Sequence, residues 1–227
     1  MNWKNFWNKK ADADNKLAQV GRTNSLDALT DEAIRTYLKN VLELAEINAE
    51  TTVLDVCCGN GLVTAKIRPY CKSIIGIDFA ENLLTIARLD YPDISFYEAD
   101  VSIPNATLLP TLTTFDRITL CFSFQYFEKV ETGKQVIENL LRYLNADGKI
   151  ILTDIPDRAK FFHFYHTPKM LLGLALQMVK NNNDMGKFWS EDELNLICKQ
   201  LGVKGKKMLQ PINLPYAHYR FDYIITR

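Results

Sequence analysis

The sequence predicts an α/β protein: a doubly wound, mostly parallel seven-stranded sheet that ends in a C-terminal antiparallel hairpin. Three observations predict it. Short apolar runs alternate with amphipathic stretches of helical period along most of the chain. Runs such as Ser73-Ile74-Ile75-Gly76-Ile77 are apolar without alternation, which suits strands covered on both faces. Near the C-terminus the pattern changes, and Tyr219, Phe221, Tyr223 and Ile225 alternate with Arg220 and Asp222, as in a half-exposed antiparallel strand.

Taken in order, residues 1–24 are polar and irregular, with Trp3, Phe6 and Trp7 at helical spacing. Those three rings are expected chiefly to pack on the core. Ile34, Leu38, Val41, Leu42 and Ala45 then form one face of a helix. Thr30 is its N-cap, and Asp31 and Glu32 suit the positive end of the helix dipole. Strands follow at 52–56, 73–77, 94–98, 115–121 and 148–154, separated by helices near 61–68, 80–90 and 131–144. The turn-forming run Asn145-Ala146-Asp147-Gly148 ends the last of these helices. Residues 157–189 break the alternation and read as an insertion rich in aromatics (Phe161, Phe162, Phe164, Tyr165). Ser190-Glu191-Asp192-Glu193 is a capping box, and the helix it starts stops at Gly202. Two final strands, near 203–210 and 218–226, complete the seven.

Bulk properties narrow the function. The chain has 227 residues, 47% hydrophobic and 24% charged, which suits one soluble domain or one domain with a small addition. Lys plus Arg is 27 and Asp plus Glu is 27. That balance argues against a nucleic-acid partner held through its phosphates. The five cysteines (Cys57, Cys58, Cys71, Cys121 and Cys198) are odd in number and lack zinc-site spacing, so reduced thiols and no metal are expected. The start shows no secretory h-region. The longest apolar run, Leu171 to Val179, falls far short of the ~20 residues a bilayer span needs. A cytoplasmic location and no membrane partner are therefore expected.

The chemistry concentrates at the strand ends. Asp55-Val56-Cys57-Cys58-Gly59-Asn60-Gly61 closes the first strand and opens a helix, a turn where glycines let a backbone approach a ligand closely. Such a turn serves several nucleotide-binding folds. Here Asp55 would repel a pyrophosphate, and Thr64 stands where a dinucleotide fingerprint has Gly or Ala. Asp78, 17 positions after Gly61, ends the second strand, where a carboxylate can accept two ribose hydroxyls. Asp100 follows the third. Three acids at three successive carboxyl ends mark the ligand side of an open sheet.

These residues resemble the class I S-adenosylmethionine-dependent methyltransferases. Asp55 to Gly61 resembles their acidic Asp-x-Gly-x-Gly-x-Gly motif, with Cys57 in place of the first glycine. Asp78 matches their second-strand acid, and Ala80-Glu81-Asn82-Leu83-Leu84-Thr85-Ile86-Ala87 looks like the helix behind it. Asp100 matches the acid that meets the adenine amino group, and Phe115-Asp116 matches the start of their fourth strand. The resemblance covers roughly residues 30–155, with the end matched by topology.

The resemblance implies S-adenosylmethionine as cofactor, bound by Arg22, Asp55, Cys57, Gly59, Gly61, Asp78, Phe79, Asp100, Val101 and Cys121. Arg22 is either a partner of the methionine carboxylate or a surface residue. It also implies that residues 1–29 are a lid over a methyltransferase domain at 30–227, with the 157–189 insertion forming part of the substrate pocket. The expected activity is O- or N-methylation of a small-molecule acceptor by a monomer or homodimer. An oxygen or nitrogen acceptor calls for a base, and the candidates are His163, Tyr165 and His166, with Gln125 and Tyr126 after the fourth strand. His163 and His166, three apart, would share a helix face. His218 is expected to be structural. Two other readings stay open: an NAD(P)-dependent oxidoreductase, and a non-catalytic S-adenosylmethionine-binding protein on the same fold.

Overall fold

The apolar runs form one sheet. Its strands are β1 (Thr52–Val56), β2 (Ser73–Asp78), β3 (Ser95–Glu98), β4 (Phe115–Cys121), β5 (Leu144–Pro156), β6 (Lys204–Leu209) and β7 (Arg220–Thr226). Their order across the sheet is β3-β2-β1-β4-β5-β7-β6. β7 runs antiparallel to both β5 and β6, and the other pairings are parallel. Strand order reverses between β1 and β4, so a crevice opens at their carboxyl ends. The computed structural model describes residues 2–21, 23–24, 27–28, 30–180 and 185–227.

Nine helices are seen among the described residues: α1 (Trp3–Lys10), α2 (Lys16–Gln19), α3 (Asp31–Ala45), α4 (Leu62–Ile67), α5 (Glu81–Asp90), α6 (Val130–Leu141), α7 (Phe161–Phe164), α8 (Pro168–Val179) and α9 (Glu191–Leu201). Two apolar layers cover the sheet. Tyr37 and Val41 of α3, Ile67 of α4 and Leu84 and Ala87 of α5 build one. Val136, Ile137 and Leu140 of α6, with Leu194 and Ile197 of α9, build the other. Trp189 is fully buried in this second layer, and Gly133 makes room for it. A Cβ at Gly133 would meet the indole at 2.6 Å.

The caps follow the local chemistry. Thr30 Oγ1 accepts from the Ala33 N–H at 3.2 Å. Ser190 and Glu193 form a reciprocal capping box, and Gly202 ends α9 at φ 68°.

Two expectations change. Asn145 to Gly148 do not break the chain: α6 stops at Leu141, and β5 already starts at Leu144. Asn145 is used instead as a tie, donating to Asp116 Oδ1 at 2.8 Å. In β7 the polar positions are buried along with the apolar ones. Arg220 lies among the rings of Phe122, Tyr216 and Tyr219. Asp222 accepts from Asn40 and Gln210 at 2.8 Å each. Burial, with the neighbouring Asp154 carboxylate, pushes its pKa up to about 6.

Candidate functional site

A cavity of about 380 Å³ opens at the carboxyl ends of β1, β2, β3 and β4. That volume lies in the range of small-molecule sites, ~300–1,000 Å³. Asp55, Cys57, Gly59, Asp78, Phe79, Asp100, Val101 and Cys121 all line it. The structure thus brings together eight of the ten residues expected to hold the cofactor. Arg22 lies outside the described residues.

Gly61, the tenth, shapes the loop without lining the cavity. It caps α4 at φ 74°, and a Cβ there would meet the Phe96 ring at 2.8 Å. Gly59 has φ 57°, and a Cβ would press on Val20. Both positions need glycine for conformation and for space.

Cys57 occupies the same left-handed region, at φ 57°. An L-residue there costs roughly 1–2 kcal/mol, which explains why glycine suits the place and how a small thiol can stand in. Burial, reinforced by the Asp78 carboxylate, holds the thiol well above its ordinary pKa, so it stays protonated at neutral pH. Cys57→Val should destabilise the fold by about 2 kcal/mol, because β-branching is worst at positive φ. Cys57→Gly should be tolerated. Thermal melts of the pair check this, and equal stability would contradict it.

Asp55 is fully buried, and both of its oxygens are engaged. Thr64 donates to Oδ2 at 2.6 Å and Thr119 to Oδ1 at 2.8 Å. Thr119 is its register partner on β4, and Thr64 belongs to α4. The hydroxyl that departs from a dinucleotide fingerprint thus has a structural use. It ties β1, α4 and β4 together beneath the loop.

Asp78 faces the same loop from β2. Its Oδ2 accepts from the Gly59 N–H at 2.9 Å, and Oδ1 from the Ala80 N–H at 2.8 Å. The Phe79 N–H also faces the carboxylate, whose remaining acceptor capacity is open to a ligand hydroxyl. Burial raises its pKa from 3.8 to about 6, against the opposing pull of these N–H groups. Asp100 turns Oδ1 toward the N–H and hydroxyl of Ser102, at 2.9 and 2.6 Å. Among the described residues its Oδ2 takes no hydrogen bond.

The N-terminal helices cover the cavity. Trp3 and Trp7 line it and stack against Tyr126 at 4.5 and 5.3 Å between centroids. Their expected role as packing residues thus extends to walling the cavity. Asn60 anchors this cover to the loop, donating to the Lys16 carbonyl at 2.9 Å and to Gln19 Oε1 at 2.8 Å. Lys4–Glu98 and Lys16–Asp90 ion pairs and the Asn8–Asn82 bonds hold its outer side.

His163, Tyr165 and His166 are not brought to the cavity, and none of the described residues of 157–189 lines it. α7 ends at Phe164, so the two histidines do not share a helix face. Tyr165 is buried among Phe161, Phe164 and Phe188. His163 Nδ1 sits 3.4 Å from the His218 carbonyl, and His166 Nδ1 3.1 Å from the Phe164 carbonyl. The segment after β4 lines the cavity instead: Phe122, Ser123, Tyr126 and Phe127. Ser123 Oγ is buried there without a hydrogen-bond partner of good geometry among the described residues. Of these, the sequence marked only Tyr126, because aromatic residues after a strand carry no motif of their own.

The charge of the lining selects the ligand. Asp55, Asp78, Asp100 and Glu128 face Lys129 as the one described cation. Four carboxylates favour a cationic or polyhydroxy ligand and oppose a pyrophosphate. The donor set thus fits S-adenosylmethionine, with its sulfonium, ammonium and ribose, better than a dinucleotide.

A family model described as a methyltransferase domain matches residues 29–205. A demethylmenaquinone methyltransferase of Shouchella clausii is 29% identical over 150 residues, 62% of each chain. A malonyl-[acyl-carrier protein] O-methyltransferase of Bacillus anthracis is 27% identical over 157 residues, covering 67% of this chain and 54% of that one. The chain thus spans between half and two thirds of the length of these curated relatives. Two solved structures share the fold. Magnesium protoporphyrin IX methyltransferase of Synechocystis, with bound S-adenosylhomocysteine, has a TM-score of 0.63 at 13% identity, covering 98% of this chain and 94% of that one. An S-adenosylmethionine-dependent methyltransferase of Clostridium acetobutylicum has 0.61 at 15%, covering 87% and 92%.

Proposed function

This chain belongs to the methyltransferase-domain family, and from that premise we propose that it methylates a small-molecule acceptor with S-adenosylmethionine. The observation that carries the reading is the placement of Asp55, Asp78 and Asp100 around one cavity at three successive strand ends. Asp78 accepts the two ribose hydroxyls, and Asp100 Oδ2 accepts from the adenine amino group. Asp55 keeps the loop in place through Thr64 and Thr119. Trp3, Trp7 and Tyr126 keep water from the reacting centre. When bound, the sulfonium supplies a methyl group that is already activated.

The residues then contribute mainly alignment of donor and acceptor. Phe122, Tyr126 and Phe127 favour a flat, apolar or aromatic acceptor, and with the histidines outside the cavity its oxygen or nitrogen nucleophile would enter already ionised or lose its proton to solvent. His163 and His166 stand outside the cavity, so turnover should survive His163→Ala and His166→Ala. A loss of turnover with intact cofactor binding would restore them as bases.

The reading is tested by calorimetry with S-adenosylhomocysteine and with NAD, followed by a mass-read acceptor screen with labelled cofactor. The screen should include quinols and carboxylic thioesters, in view of the relatives' names. NAD binding without S-adenosylhomocysteine binding would overturn it. Cofactor binding without methyl transfer to any acceptor would favour a non-catalytic binding protein.

Binding should also depend on pH with a defined sign. Ribose hydroxyls donate to the ionised carboxylate, and Asp78 ionises at about 6. Affinity is therefore full above about pH 7 and falls as pH drops through 6, by up to about tenfold per unit. Near pH 6 binding should release a proton, measurable from the dependence of the calorimetric heat on buffer ionisation enthalpy. The sign for folding is opposite. A carboxyl raised from 3.8 to about 6 binds more protons folded than unfolded in that window, so its contribution declines as pH rises through it.

A further inference from the structure

We propose that α7 and α8 form an interfacial arm that lays the protein on an anionic lipid surface. α8 is turned inside out relative to a soluble surface helix. Its half-buried side carries Met170, Gly173, Leu174 and Gln177. Its outward stripe carries Leu171, Leu172, Ala175, Leu176 and Val179, which fall at the spacing of one helix face. Leu172 is 63% exposed, Val179 86%, and Phe162 of neighbouring α7 70%. No residue of the helix is buried. A contiguous patch of this kind marks an interaction surface rather than scattered exposure.

Charge selects the occupant. The whole chain is balanced at 27 cations and 27 anions, yet residues 158–180 contain no carboxylate. They carry Arg158, Lys160, Lys169 and Lys180. Glu193 neutralises Arg158, and Lys160 donates to the Ala217 carbonyl. Lys169 and Lys180, exposed at the two ends of α8, stand beside the apolar stripe. An apolar face flanked by cations without anions is what an anionic bilayer interface takes up, the lysines reaching to the head groups.

A second copy of the chain fits less well. Two such arms face to face would bring like charges together. A 12-residue helix is also only ~18 Å long, and at a width of ~10 Å its footprint is far below the ~800 Å² per partner of a stable dimer. The shortness that excludes a spanning helix does not bear on a helix lying in the surface plane. The proposal departs from the expectation of no membrane partner, which rested on span length. The proposal stands on the arm alone, whatever the acceptor.

The test is flotation of the full chain with phosphatidylcholine vesicles, and with vesicles containing equal parts of phosphatidylglycerol. The wild type should float with the anionic vesicles, and added salt should weaken this. Leu172→Glu/Leu176→Glu should weaken it about tenfold or more, and Lys169→Glu/Lys180→Glu should abolish the preference for anionic lipid. Unchanged S-adenosylhomocysteine binding or an unchanged melting temperature certifies each variant's fold. No flotation of the wild type, or equal flotation of the folded variants, would overturn the proposal. So would a concentration-dependent dimer in sedimentation that Leu172→Glu/Leu176→Glu dissolves, since the stripe would then be a self-interface.

Discussion

Asp78→Ala is expected to weaken S-adenosylhomocysteine binding by about 30- to 1,000-fold, the worth of two charge-assisted hydrogen bonds at about 2–4 kcal/mol together. The loss has two parts. The ribose hydroxyls lose their acceptor, and the Gly59 and Ala80 N–H groups lose the carboxylate that orients the loop. Asp78→Asn separates them. It keeps shape and one acceptor but presents an amide N–H₂ to a backbone donor, so its affinity should fall between wild type and Asp78→Ala. The pH dependence near 6 should vanish in both variants. Unchanged affinity in Asp78→Ala would remove the ribose role.

The second large effect is on stability. Asp55→Ala leaves the hydroxyls of Thr64 and Thr119 buried without their acceptor, and both threonines are fully buried. At ~1–3 kcal/mol for each unsatisfied group, the cost is about 2–6 kcal/mol. For a domain of this size that lowers the melting temperature by roughly 4–24 °C. A calorimetric scan without ligand isolates the effect. If the melt is unmoved while cofactor affinity drops, Asp55 is a ligand group and not a clamp.

These two aspartates also show how much of the site was legible in the sequence. Both stand at ends of apolar runs beside glycines, so local pattern placed them at the cavity. Their different duties were not legible, because these depend on partners far along the chain: Thr119 for Asp55, and backbone N–H groups for Asp78. Thr64 was readable as a departure, though not as a tie. The mostly parallel sheet and the final hairpin followed from run length and alternation. Alternation failed at Arg220 and Asp222, since period two reports which residues share a face, not whether that face is covered. Asn40 of α3 and Gln210, remote in sequence, cover Asp222. The insertion failed for a related reason. Aromatic density announced a pocket, but Phe161, Phe164, Tyr165 and Phe188 satisfy one another as a satellite cluster.

The cover over the cavity has a kinetic consequence. α1 and α2 bury no side chain completely, and their outer ties are surface contacts of small individual worth. Such a segment opens at far less free energy than the sheet beneath it unfolds. Ligand exchange can therefore proceed by lifting the cover while the fold stays intact. The residence time of spent cofactor would then be set by the Trp3–Trp7–Tyr126 stack and the Asn60 anchor, and turnover can be limited by departure rather than by chemistry.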